Sequence, residues 1–332
     1  MTTERFNNRQ WDDTKRGVYE VWFMTWNHAA TDQGFWLRYI TEAPIDGESR
    51  AELWFARFDP KTPARTFGIH KHFPAAAASK DPFSLSIAGS RLGHDHAIGQ
   101  LAGGRHDVKW DLRWQPGDDV LRLLPDVAYH GIGESTVISP NPRVAMTGTI
   151  VVDGEELSFD RAPFGQSHIW GKKHAFSWTW GRCAEFAGAP GALLEVFGSR
   201  LQRRGVTLPP LFLVTLDLDG EHYRLNQLRH MASNRGSWGS GRVKFSAWSA
   251  SIKIEGELTC KPEDMVLAPY LDPDGTEVFC ANTEIGDARI TIFRRAGLGW
   301  RELRTLEGKR RAHFEVAGRQ RDPAVAREHV LV

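Results

Sequence analysis

The chain has 332 residues, 42 basic against 41 acidic, for a formal charge of +1. That length allows two modest domains with cores of their own, and the charge balance speaks against nucleic acid or an anionic membrane as a partner. Cys183, Cys260 and Cys280 are unclustered and lack CxxC spacing, so they imply neither a disulfide framework nor a cysteine zinc site. The start MTTERFNNRQWDD is polar, and no stretch approaches the ~18 apolar residues of a membrane span, so the expected location is cytoplasmic with no membrane span.

In chain order, Val18 to Asn27 sets Tyr19, Val21, Phe23 and Thr25 against Glu20, Trp22, Met24 and Trp26, which is strand periodicity. Gly34 to Thr41 and Ala51 to Phe58 repeat the pattern around a Pro-Ile-Asp-Gly turn, giving an antiparallel meander. Pro74 to Lys80 reads as a helical turn or a loop. Phe83 to Ile87, His94 to Leu101 and Arg105 to Trp114 read as short strands, and Asp153-Gly154 between Ala145–Val152 and Glu156–Phe159 is a hairpin signal. After the central segment come strands at Gly191 to Ser199, Leu211 to Leu218, His222 to Arg229, Val243 to Ile254, Glu257 to Pro262, Glu277 to Thr283, Ala288 to Arg294 and Ala312 to Ala317. Gly236 to Gly241 lies outside any strand-to-helix context and reads as a barrel-mouth loop with Trp238 as a plug.

Sustained helical periodicity is missing, and strands spaced by polar turns predict an all-β chain. One barrel of all the strands would enclose a pore, whereas two smaller antiparallel barrels packed side by side remove the strand edges with less filling. The expected domains are 1–162 and 163–332, with the break near Asp160 to Phe164, where Arg-Ala-Pro interrupts the pattern.

The central stretch Phe164 to Phe186, FGQSHIWGKKHAFSWTWGRCAEF, gathers His168, His174, Trp170, Trp178, Trp180 and Glu185. Phe176, Trp178 and Trp180 alternate with Ser177, Thr179 and Gly181, so one strand face is aromatic and the other small or polar. Large aromatics beside imidazoles suit the wall of a ligand cavity. The 13 tryptophans of the chain point the same way, since Trp is a demanding core filler that wants a partner for its N–H.

These residues resemble a known superfamily, that of tocopherol cyclase, carotenoid hydratase (hydroxyneurosporene synthase) and AttH-like proteins. Tyr19-Glu20-Val21-Trp22-Phe23 is similar to its first strand, and His168 through Trp170-Gly171 to Phe176, Trp178, Trp180 and Cys183 to its central motif. Cys280-Ala281-Asn282-Thr283-Glu284 and His313-Phe314-Glu315 resemble its signatures in the second half. One departure stands out: His168 occupies the place of an acidic residue before the W-G pair. The resemblance implies two lipocalin-like barrels, a ligand cavity at or near their junction, no metal or redox cofactor, and ligands of isoprenoid or polyketide type.

An acid-initiated reaction on an apolar substrate needs a proton donor in a dry pocket and electron-rich faces for a developing cation. The expected proton-transfer residue is His168, helped by Glu20 or Glu185, with His174 as a further candidate. Trp22, Trp26, Trp170, Trp178, Trp180 and Asn282 are the expected substrate-binding residues, and hydration, dehydration, isomerisation or cyclisation the expected chemistry. Two rival readings are a non-catalytic carrier of hydrophobic ligands and a cupin-like metalloenzyme. The second rests on His70-Lys71-His72 and His94-Asp95-His96, whose spacing sets two rings on one strand face.

Overall fold

The computed structural model describes residues 3–12, 14–74, 76–80, 82–130, 133–203 and 205–332. It is built from strands, with short 3-10 turns as its helical elements among the described residues. No helix is long and apolar enough to cross a membrane. Two large sheets, of twelve and ten strands and antiparallel but for one terminal pair, form two lipocalin-like barrels packed side by side.

Long hairpins organise each barrel. In the first, Val18–His28 lies between Gln33–Ala43 and Glu155–Gly171, pairing Trp22 with both Tyr39 and His168. In the second, Glu277–Ala296 pairs with Gly299–Gly318, which in turn pairs with Ser177–Cys183. Alternation then sorts the side chains. Trp22, Met24, Trp26, Leu37, Tyr39 and Phe55 fill the first barrel, and Val196, Val214, Phe245, Ile254 and Phe314 fill the second. The opposite faces of the same strands form a third apolar cluster between the barrels, including Tyr19, Val21, Trp36, Trp54, Trp178, Trp180 and Tyr270.

Several expectations change. The Glu155–Gly171 strand continues through Asp160–Phe164, where the boundary was expected, with a register shift against Ser135–Val152 between Phe159 and Ala162, and from Phe164 onward it also pairs with Val18–His28. The chain passes to the second sheet only between Gly171 and Ser177. Ala77–Lys80 is an edge strand rather than a helical turn or loop. Arg235–Gly239 is also a strand, paired with Arg242–Trp248, and Trp238 packs edge-on against Phe212 rather than plugging a barrel mouth. Phe67–Phe73 and Val266–Leu271 were not anticipated as strands, and both border the junction.

The C-terminal strand His329–Leu331 returns to the first barrel and pairs in parallel with Phe67–Phe73. Its His329 ring lies against Trp36 and Trp54, so the tail ties the two barrels together.

Candidate functional site

His168 and Glu20 are fully buried in the first barrel. His168 Nε2 lies 2.8 Å from Glu20 Oε1, and its Nδ1 lies 2.7 Å from the Phe6 carbonyl oxygen. Its ring stacks on Trp22 at 4.6 Å, while Trp170 sits at the rim, 4.9 Å away. Glu20 also accepts the backbone N–H groups of Gln10 and Trp11, and the Trp22 indole N–H donates to the Asn7 carbonyl. These bonds fasten the N-terminal segment across the barrel. Trp26 packs among Phe35, Phe159 and Phe164. The expectation that His168 exchanges protons with a ligand is not carried by this geometry, because both ring nitrogens already have protein partners. Glu185 is elsewhere, half-buried and 3.5 Å from Arg311 Nε.

His174 is placed differently. It follows Gly171, where the backbone passes so close to Glu134 and Ser135 that a Cβ would lie 2.4 Å from the Glu134 carbonyl oxygen. Lys172 N–H donates to that carbonyl, and Ser135 Oγ donates to the Lys173 carbonyl, pinning the connection to the first barrel. From the second barrel, Asp272 Oδ1 lies 2.6 Å from His174 Nδ1 and accepts its backbone N–H. Burial raises the Asp272 pKa, but the bonds from His174 and Arg319 outweigh it and hold the carboxyl below its usual range. A carboxylate only accepts, so Nδ1 carries the hydrogen and Nε2 is the basic nitrogen. Nε2 has no protein partner among the described residues. The ring is stacked among Tyr19 at 4.6 Å, Trp178 at 5.1 Å and Tyr270 at 5.6 Å.

His174 lines a cleft of about 160 Å³ between the barrels, together with Glu42, Tyr19, Arg38, Trp54 and Tyr270. Glu42 is the strand partner of Tyr19, so Tyr19 has the carboxyl on one side and the imidazole against its ring. Burial is the dominant influence on Glu42 and pushes its pKa up from 4.5 to about 7, with Glu52 adding to the rise. Arg50 opposes that rise from 2.8 Å, while it also holds Glu52 at 2.9 Å. Sharing one guanidinium between two acids weakens its hold on either. Glu42 Oε1 has no hydrogen-bond partner among the described residues. The cleft therefore joins a carboxyl that keeps its proton near neutrality to an imidazole with a free basic nitrogen.

Other expected residues line the junction away from that mouth. The Trp178 indole N–H donates to Glu315 Oε1 at 2.6 Å, and Trp180 meets Phe23 edge-on. Asn282 is 2 % exposed, with neither its amide oxygen nor its nitrogen bonded. Deeper still, burial holds Glu284 well above and His313 well below their ordinary pKa values. His70 and His72 do share a face, with ring centroids 5.7 Å apart, but His70 stacks on Trp54 at 4.0 Å. His94 hydrogen-bonds with Thr3 and Asn7, and His96 with Asp95. Among the described residues no three His, Cys, Asp or Glu side chains gather as metal ligands.

Arg38, Glu42, Tyr270 and Asp272 were not singled out from sequence. A signal was present for the first two. Trp36 and Ile40 set large apolar side chains on the outer face of Gln33–Ala43, opposite Phe35, Leu37 and Tyr39 on the inner one. A strand apolar on both faces is covered on both, so Arg38 and Glu42 on the outer face had to be buried as well.

The family model described as tocopherol cyclase-like matches residues 139–318, just over half of the chain. The chain is 29 % identical over 177 residues to a probable tocopherol cyclase of Oryza sativa subsp. japonica, covering 52 % of this chain and 37 % of the rice protein. It thus spans about a third of the length of the curated relatives it matches. Among solved structures, an AttH-like protein of Nitrosomonas europaea superposes with a TM-score of 0.55 at 11 % identity, over 93 % of this chain and 94 % of that one. Kievitone hydratase of Nectria haematococca superposes with a TM-score of 0.51 at 10 % identity, over 90 % and 88 % of the two chains. Those two likenesses concern the fold, and the sequence match supplies the kinship: the chain belongs to the tocopherol cyclase-like family.

Proposed function

We propose that the protein is a cofactor-independent acid/base enzyme acting on a hydrophobic small molecule of terpenoid, steroid-like or polyketide type, by hydration or dehydration, isomerisation or cyclisation. The reaction is assigned to the junction cleft, with Glu42 as proton donor and His174 Nε2 as acceptor. One observation carries the reading: a carboxyl with a pKa of about 7 and an Asp-oriented imidazole line the same aromatic cleft. Opposite proton states at one pH are what acid/base chemistry requires of a pair. The names of the rice tocopherol cyclase and the fungal hydratase agree with this class of chemistry.

In the addition direction, the Glu42 O–H gives its proton to an alkene carbon. The π pair becomes the new C–H bond, and positive charge develops on the adjacent carbon. Tyr19 and Trp54 border the cleft, and an aromatic face turned to a cation stabilises it by ~0.5–2 kcal/mol. A water or substrate hydroxyl oxygen then attacks the cation and passes its proton to His174 Nε2. Proton exchange with solvent restores both groups. A cavity of about 150 Å³ holds benzene, so a cleft of about 160 Å³ admits one ring, with the remainder of the substrate along its mouth.

Compounds that co-purify with the protein from its host, identified by native mass spectrometry, supply the substrate for the test. Turnover in D₂O should place one deuterium on the protonated carbon, and Glu42→Gln should lower kcat by ~10²–10⁴-fold with binding retained. Wild-type turnover by both Glu42→Gln and His174→Ala would remove the assignment, and binding without conversion by the wild type would mark a carrier.

A further inference from the structure

Among the described residues the buried arginines are paired, with one exception. Arg57 Nη2 lies 2.7 Å from Glu155, and Arg182 Nη1 lies 3.1 Å from Glu195. Arg38 is 5 % exposed, and its Nε and Nη1 have no hydrogen-bond partner. Among the described residues it makes no ion pair. Its guanidinium lies 4.9 Å from the Trp36 ring centre and 4.6 Å from that of Tyr270, and it lines the junction cleft.

Nearby acids are engaged elsewhere. Glu42 and Glu52 share Arg50, and Glu52 also accepts the Trp54 indole N–H. Glu315 accepts from Trp178 and from Cys280 Sγ, and Asp272 holds His174 and Arg319. The histidines around the cleft, His70, His72 and His174, bring no negative charge. An arginine stays charged, and a buried charge without a counter-ion is strongly disfavoured. Aromatic faces recover only part of that cost. The guanidinium is a planar fork of donors suited to a carboxylate, and two of its donor atoms are unmatched.

We propose that the junction cleft takes an apolar molecule bearing a carboxylate, and that Arg38 is the partner of that carboxylate. The inference rests on the cleft being the ligand site and narrows the substrate to an unsaturated, apolar organic acid. Arg38 would hold the head of the molecule between the rings of Trp36 and Tyr270, leaving the chain to run past Glu42 and His174.

The test is isothermal titration calorimetry at pH 7 with 4-butylbenzoate and its neutral analogue 4-butylbenzamide, one ring each with the same tail. Wild-type protein should bind the benzoate at least 10-fold more tightly than the benzamide. Arg38→Gln should bind both equally, at the wild-type affinity for the benzamide, and Arg50→Gln should keep the preference. Equal affinities in the wild type, a preference that survives Arg38→Gln, or one lost in Arg50→Gln would each overturn the proposal. If Arg38→Gln does not fold, the wild-type comparison and Arg50→Gln decide it. Equal, measurable binding of both probes would leave the acid/base reading standing, whereas failure of the wild type to bind either would remove both.

Discussion

Two histidine–carboxylate pairs flank the same strand, and they differ in everything but composition. His168–Glu20 lies on the inner side of Val18–His28, at 0 % exposure for both side chains, with both imidazole nitrogens bonded to protein. His174–Asp272 lies on the outer side, with 16 % of the imidazole exposed, and the ring lines a cleft with no protein partner for Nε2 among the described residues. The first pair anchors the N-terminal segment across a packed barrel; the second borders the space where two barrels meet. A histidine beside a carboxylate is therefore insufficient to define an acid/base site. The unmatched nitrogen, and room for a ligand next to it, make the difference.

Exchanging each histidine for alanine should split the pairs. His168→Ala leaves Glu20 buried without its partner and removes the stack on Trp22, a change in the class that costs ~3–5 kcal/mol. Urea unfolding followed by tryptophan fluorescence should show that loss. His174→Ala should cost less, ~1.5–3 kcal/mol, since Asp272 keeps Arg319 at 3.2 Å, while turnover falls. The contrast fails if His174→Ala proves the more destabilising of the two.

Strand alternation made much of this fold legible. Tyr19/Val21/Phe23 against Glu20/Trp22/Met24 is the real division between junction and barrel interior. The aromatic face of Trp178 and Trp180 is also real, although it looks toward the other barrel rather than into its own. What local pattern cannot supply is the partner of an outward face. Glu42 meets Tyr270 and Leu271 across the cleft, more than two hundred positions along the chain, and no spacing in the sequence announces that meeting. A separation of 98 positions likewise hid Asp272 from His174. His168 drew attention because it stands in a recognisable motif, yet its burial depends on the N-terminal segment folding over it through Phe6 and Asn7.

A pH profile sharpens the comparison from the carboxyl side. The folded-state pKa of Glu42, about 7, lies above its unfolded value of 4.5, so the folded protein retains a proton that the unfolded chain releases. The stabilisation from neutral Glu42 is fully present below pH 4.5 and is lost as pH rises through 7. A displacement of that size corresponds to ~3 kcal/mol at most. Glu42→Gln, which stays neutral, should unfold at nearly the wild-type denaturant concentration at pH 5 and at a higher one at pH 8. Parallel profiles for the two proteins would mean that the Glu42 carboxyl is ionised throughout that window.

The smallest expected effect concerns the closed end of the junction. There Gly34 approaches the second barrel so nearly that a Cβ would lie 2.4 Å from the Glu284 carbonyl oxygen and 2.7 Å from its carbonyl carbon. Those atoms are backbone of the Glu277–Ala296 strand, at a register irregularity between Thr283 and Gly286. Asn27 fixes them by donating to the same carbonyl at 2.7 Å, while Asn27 Oδ1 lies 2.6 Å from His313 Nε2. Gly34→Ala must therefore push the barrels apart at this end or bend the strand, at a cost of ~1–3 kcal/mol. Gly239→Ala, in a strand where nothing lies within 4 Å of the added methyl, should change the midpoint little. A shift in the Gly34 variant alone identifies the sealed end as the contact that sets the spacing of the barrels, and hence the width of the cleft at the other end. Equal midpoints in thermal unfolding for both variants would show that the barrels are held apart by something other than this contact.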